Sequence, residues 1–153
     1  MVSSKDMNSL NAIKLQPAEI MELLDRVFPQ IKDSFIIDEL SAEETVLRLK
    51  ISDRHLRPGG TVSGPSMFEL ADCAMYVAVL AAIGPEALAV TTNCSIDFMR
   101  KPEARDMLAH ARILKHGRTL IVGDVMLYSE GSEKPVARAS LTYSIPPKAE
   151  VVK

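Results

Sequence analysis

The chain has 153 residues, 47 % hydrophobic and 25 % charged, with a net charge of −2. That length suits a single domain, 1–153, with a substantial core, and the composition is that of a globular protein, neither disordered nor fibrous. The slightly acidic balance excludes the broad basic signature of a nucleic-acid binder, and the start, MVSSKDMNSLNAIKLQP, lacks the basic-then-apolar order of a secretory signal.

Residues 1–16 show no sustained period, and 1–16 and 147–153 are expected to be loosely ordered. From Pro17 to about Gln30 the residues Ile20, Leu23, Leu24, Val27 and Phe28 follow helical spacing, and Pro29 ends or bends this amphipathic helix. Ser34–Leu40 and Thr45–Ile51 read as two strands of a hairpin. Thr45, Leu47, Leu49 and Ile51 share one face of the second strand, and Val46, Arg48 and Lys50 the other. Pro58-Gly59-Gly60 marks a loop.

Met67–Ile83 is an apolar run whose only charges are Glu69 and Asp72. A helix apolar on nearly all sides belongs inside a protein or a membrane. This run falls short of the roughly 20 residues a bilayer needs and carries two acids near one end, so a buried helix is expected. Two N-caps compete for it: Ser63, or Ser66 in an S-x-x-E box with Glu69. Glu69 reads as a capping residue. Gly84-Pro85 closes the helix.

Four strands follow: Leu88–Phe98, Met107–Lys115, Thr119–Tyr128 and Pro135–Ile145. In the first, strict alternation puts Leu88, Val90, Cys94, Ile96 and Phe98 on one face and a polar row, Ala89, Thr91, Asn93, Ser95 and Asp97, on the other. The polar row suggests a site or a partner surface. The pattern as a whole is α+β: a curved antiparallel sheet wrapped around a long central helix.

Asp72 is the residue most in need of a reason. Its neighbours three and four positions away are Phe68, Glu69, Met75 and Tyr76, so no local cation pairs with it. A carboxylate in an apolar helix is costly unless it is hydrogen-bonded or faces a wet cavity. It is either a structural acid or a general base or nucleophile. Gly64 lies at the helix start, where unpaired N–H groups can stabilise charge developing on a carbonyl oxygen; the competing reading is a simple turn. Cys73 and Cys94 sit among apolar residues with no Cys or His at metal-ligand spacing, so both read as buried reduced thiols, and the compartment as cytoplasmic. His55, His110 and His116 form no metal-spaced pair. Arg100-Lys101 and Lys115-His116-Arg118 are small basic clusters at strand ends, ordinarily solvated.

The segment SGPSMFELAD, the strand TTNCSIDFMRKP, and the later GR turn and VARAS carry a resemblance. They are similar to the hotdog-fold thioesterases of the PaaI-like (phenylacetyl-CoA thioesterase) type, whose helix begins H-G-G-x-x-x-x-L-A-D, over roughly Phe35 to Ile145. The resemblance implies a hotdog fold, a homodimer joined edge to edge that often pairs into tetramers, and active sites at the subunit interface. It implies hydrolysis of an acyl-CoA to free acid and coenzyme A, with no metal or further cofactor, no nucleic acid and no membrane. Asp72 then attacks the thioester or activates water, Gly64 N–H polarises the carbonyl, and Thr91 sits near the acid. Ser63 stands for the family's His, Pro65 for its second Gly, and Arg57 for an Asn or Gln that orients water or carbonyl. Arg100, Lys101 and Arg118 match basic residues that meet the nucleotide. These departures motivate an alternative, a non-catalytic binder of acyl-CoA or a lipid-like ligand. A hotdog dehydratase or isomerase fits less well, because the central loop and helix hold no His after His55. Met67, Phe68, Met75 and Tyr76 are either acyl-pocket or core residues.

Overall fold

A computed structural model describes residues 13–147. The expected loose ends therefore fall mostly outside the described residues. Of the lead, Ile13 and Leu15 pack against the core, and the Lys14 N–H donates to the Ala81 carbonyl at 2.7 Å.

Helix α1 spans Pro17–Val27 and buries Ile20, Leu23 and Leu24. Its start is closed by Glu19, whose side chain accepts from the Gln16 N–H at 3.1 Å. Pro29 ends it by opening a short 3-10 turn, Pro29–Ile31. Strands β1 (Phe35–Leu40) and β2 (Thr45–Leu49) form the expected hairpin, closed by the Ser41 N–H on the Glu44 carbonyl at 2.9 Å. β2 is more buried than alternation allows, because Val46 on its outer face is only 4 % exposed. Neighbouring β4 places His110 directly opposite Val46 in the register.

The central helix α2 spans Gly64–Ile83, twenty residues, starting earlier than its apolar run. Ser63 is the N-cap: its Oγ accepts from the Ser66 N–H at 3.3 Å and its hydroxyl donates to Ser66 Oγ at 2.9 Å. Ser66 thus lies inside the first turn, and the Ser66–Glu69 capping box does not form. Pro65 is tolerated there because first-turn amides lack intrahelical acceptors. By length and composition α2 could cross a membrane, but 72 % of its most apolar window is buried in the protein.

What buries it is a six-stranded antiparallel sheet in the order β1-β2-β4-β5-β6-β3, with β3 Val90–Phe98, β4 Met107–His116, β5 Leu120–Ser129 and β6 Ala137–Ser144. Met107, Ala109 and Ala111 of β4, Ile121, Val125 and Leu127 of β5, and Ala137, Ala139, Leu141 and Tyr143 of β6 turn inward and are buried. The helix needs apolar residues all round because the sheet curves around it. Gly123 marks the closest approach: a Cβ there would overlap the end of the Met75 side chain.

Strand β3 does not pair with its sequence neighbour β4. It crosses to the far edge and pairs with β6. A bulge between Thr91 and Asn93 breaks its alternation. Thr91 lies opposite Tyr143 and faces the helix with Cys94 and Ile96, while Asn93, Ser95 and Asp97 face out. The expected continuous polar row is therefore wrong at Thr91, because one extra residue reverses which side of the sheet a strand presents.

Candidate active site

Asp72 lies in the third turn of α2, on the side facing β3 and β6. Thr91 Oγ1 donates to its Oδ1 at 2.5 Å. The Tyr143 hydroxyl reaches the same Oδ1 at 2.7 Å and the Asp72 backbone carbonyl at 2.9 Å. Among the described residues Oδ2 has no hydrogen-bond partner. The acid lines a half-open cleft of about 420 Å³ whose other walls include Val27, Phe28, Tyr76, Leu88 and Val90. Tyr76 stacks on Tyr143 with ring centroids 6.1 Å apart, and its hydroxyl donates to the Ala87 carbonyl at 2.6 Å, fixing the loop that carries Leu88. Burial, reinforced by the Asp72 charge, raises the Tyr143 hydroxyl well above the phenol range, so it stays protonated.

Cys73 is buried and Cys94 half-buried, both free. Burial, with Asp72 adding to it, raises both thiols, so neither is a ready nucleophile at neutral pH. Cys94 is thus less enclosed than the sequence suggested. Among the described residues no three of His, Cys, Asp and Glu are grouped to hold a metal.

The second predicted residue, Gly64, is the first residue of α2, and its N–H has no intrahelical acceptor. The Phe98 ring lies 3.5 Å from where a Gly64 Cβ would sit. Eight residues separate Gly64 from Asp72, about 12 Å along the helix. One chain therefore brings Thr91 to Asp72 but leaves Gly64 more than two helical turns away.

The remaining candidates scatter. The Ser63 hydroxyl is occupied as the N-cap. Arg57 is exposed at the base of a small hairpin, its N–H on the Thr61 carbonyl at 2.9 Å. Gly59 and Gly60, both at positive φ, make the hairpin tip. Arg100 donates to the Pro135 carbonyl at 2.8 Å, and Lys101 beside it is exposed. Arg118 lies in the β4–β5 turn, at the other end of β6, about 25 Å from Arg100 at the ordinary rise of a strand. Met67 and Met75 are buried core residues, Phe68 is 41 % exposed, and only Tyr76 of that group lines the cleft. His55, expected in a loop, is buried in a 3-10 turn, Asp53–His55. Tyr143 escaped the sequence reading, although its alternation with Ala139 and Leu141 marks it as inward-facing.

The sequence model of the Thioesterase superfamily matches residues 59–136. The chain is 58 % identical to a Silicibacter protein solved as a presumptive thioesterase, covering 90 % of this chain and 96 % of that one with a TM-score of 0.84. It is 26 % identical to the phenylacetic acid degradation protein PaaI of Thermus thermophilus, over 77 % of this chain and 99 % of that one, with a TM-score of 0.66. A presumptive esterase of Pseudomonas aeruginosa is 29 % identical over 81 % of this chain and 88 % of its own length. With the family model covering half of the sequence and the helix-wrapping sheet shared with these structures, the chain belongs to the hotdog-fold thioesterase superfamily.

Proposed function

We propose that this protein is an acyl-CoA thioesterase that works as a homodimer. The observation that carries the reading is the Asp72 carboxylate: it lines an otherwise largely apolar cleft, is held by two hydroxyls at Oδ1, and has Oδ2 free. Oδ2 either removes a proton from water as that water attacks the thioester carbonyl, or attacks the carbonyl itself. In both cases the C–S bond breaks, the sulfur leaves as the thiol of coenzyme A, and water supplies the oxygen of the free acid. A backbone N–H aimed at the carbonyl oxygen stabilises the negative charge that develops there.

The separation of Gly64 from Asp72 supports the dimer. In one chain Gly64 packs against Phe98 and Asp72 bonds Thr91, so α2 and β3 run in opposite directions. β3 is a sheet edge, and Val90 and Phe98 on it are 57 % and 52 % exposed. An exposed edge strand invites pairing. Antiparallel pairing of β3 with a second copy about a two-fold axis lays the Thr91 end of one strand beside the Phe98 end of the other. Asp72 of one chain then meets the Gly64 of the second, and Arg100 approaches the Arg118 end of its partner. The same pairing brings the two basic clusters together at the rim, where a coenzyme A nucleotide needs them.

The test is thiol release from a panel of acyl-CoA thioesters, straight-chain and aromatic, with the native mass measured in parallel. A dimer or larger particle that releases thiol from at least one of them supports the reading. Stoichiometric binding without release across the panel overturns it in favour of a non-catalytic acyl-CoA binder.

A further inference from the structure

Two hydroxyls from neighbouring strands converge on a single oxygen of Asp72. Thr91 and Tyr143 are direct cross-strand partners in the β3–β6 register: Tyr143 faces the helix by the unbroken alternation of β6, and Thr91 joins it there because of the bulge that follows it in β3. The Tyr143 ring is 2 % exposed and stacked on Tyr76, so its hydroxyl has little freedom to leave. That hydroxyl has one proton and lies nearer Oδ1, at 2.7 Å, than the Asp72 carbonyl, at 2.9 Å, so the carboxylate is its main acceptor. A carboxylate turns about its Cβ–Cγ bond and ordinarily exchanges its two oxygens. Donors fixed on one oxygen from one side remove that exchange.

We propose that Tyr143 is a positioning residue for thioester cleavage: with Thr91 it holds Asp72 through Oδ1 and reserves Oδ2 for the substrate carbonyl or the attacking water. The inference rests on Asp72 being the reacting acid. Tyr143 itself transfers no proton, since its buried hydroxyl remains a donor throughout the working pH range. Its contribution is orientation, which is worth large factors in rate when a reacting group is misplaced by even an ångström.

The experiment uses the full-length oligomer and the acyl-CoA cleaved fastest in the thiol-release panel. Y143F keeps the ring and its stack and deletes only the donor. The expected result is a fall in kcat of about tenfold, the size of a lost hydrogen bond to a charged group, with KM within about twofold. The acid limb of the kcat/KM profile moves to higher pH, because a carboxylate that loses a donor holds a proton more readily. T91V moves the limb the same way and T91S leaves it in place. Y143F/T91V loses more than the product of the single losses, because each donor partly substitutes for the other. Should Y143F not fold, 3-fluorotyrosine placed at 143 keeps the shape and strengthens the donor, and the limb moves to lower pH. A lowered melting temperature with kcat and the limb unchanged overturns the inference and makes Tyr143 a packing residue. D72N run alongside separates the two failures: unchanged turnover in D72N sinks both the inference and the proposed function, whereas inactive D72N beside unchanged Y143F sinks the inference alone.

Discussion

The two ends of the first half of α2 are built differently. Around Asp72 the neighbouring hydroxyls among the described residues are committed: Thr91 and Tyr143 to the carboxylate, Tyr76 to Ala87. Around Gly64 there is a bare helix-start N–H, a proline, an N-cap serine already used, and an exposed phenylalanine. On the proposed function, one end is a finished acid site and the other is half of a site. The lesson, on the proposed function, is that the fold of one chain completes the acid, while a second chain completes the carbonyl-binding end.

The largest expected effect comes from the finished end. D72N preserves shape and can still accept from Thr91 and Tyr143, so the fold is retained. Turnover falls by about 10²-fold or more, within the range for a lost base or nucleophile. Steady-state thiol release with circular dichroism as the fold control measures it.

The difference between the ends can be tested by mixing chains. In G64V the Cβ meets nothing nearer than the Phe98 ring at 3.5 Å, so the backbone accommodates it while the branches crowd approach to the N–H. Alone, G64V loses roughly tenfold or more of its activity, the scale of an obstructed carbonyl donor. Co-refolded with D72N, half of the dimers are mixed, and each mixed dimer has one intact site of two. Recovery then approaches about a quarter of wild-type activity. If both residues serve one site from the same chain, every site stays damaged and mixing recovers nothing.

A third substitution asks whether stability and activity separate. Arg48, on the outer face far from β3, bonds Asp38 at 3.0 Å, Asp106 at 3.2 Å and Glu130 at 2.8 Å. Those three acids, with the Ile51 N–H on Asp106, tie together β2, the lead into β4 and the β5–β6 turn. R48A leaves the acids facing one another and costs roughly 1–3 kcal/mol of stability, read by chemical denaturation. Since the network touches neither end of the site, kcat at a temperature well below melting is unchanged. A parallel loss of kcat would show that the site depends on this distant edge.

How much of this could be read from sequence follows from the same contrast. The wrapped helix and the strands were legible because apolar runs and alternation are local patterns, and Asp72 was legible because an acid without a cation in such a helix is locally anomalous. The Thr91 face was not, since a bulge leaves no mark in composition and reverses strand parity. The burial of Val46 was not legible because alternation assigns it to the outer face, and what covers that face depends on strands distant in sequence. Tyr143 was missed because its partner lies 71 positions away, across the packing of β6 on α2. Of the two competing N-caps the structure takes Ser63, so the Ser66–Glu69 box was a true local rule applied one turn too late.

The smallest expected effect concerns what holds the unfinished end. The Ser63 N–H, just before Gly64, donates to the His55 carbonyl at 2.8 Å, and His55 is itself held by the Ser52 N–H on Nδ1 at 3.0 Å. An accepting Nδ1 requires the proton on Nε2, which is buried without a partner among the described residues. Burial, with Arg54 adding to it and Glu69 opposing, lowers the His55 pKa below its ordinary 6.5. The neutral form is therefore favoured by folding. This stability is present above about pH 6.5 and is lost as pH falls from there through the folded value. Charging the ring also removes the acceptor for Ser52, so acid loosens the Gly64 end. H55Q keeps an acceptor that does not titrate. Its melting temperature should fall less than that of the wild type between pH 7.5 and 5, by a few degrees. Amide exchange at Ser63 and Gly64 should quicken in acid for the wild type and not for H55Q. Equal slopes in the two proteins would remove His55 from the account and leave the N-cap alone to hold the glycine.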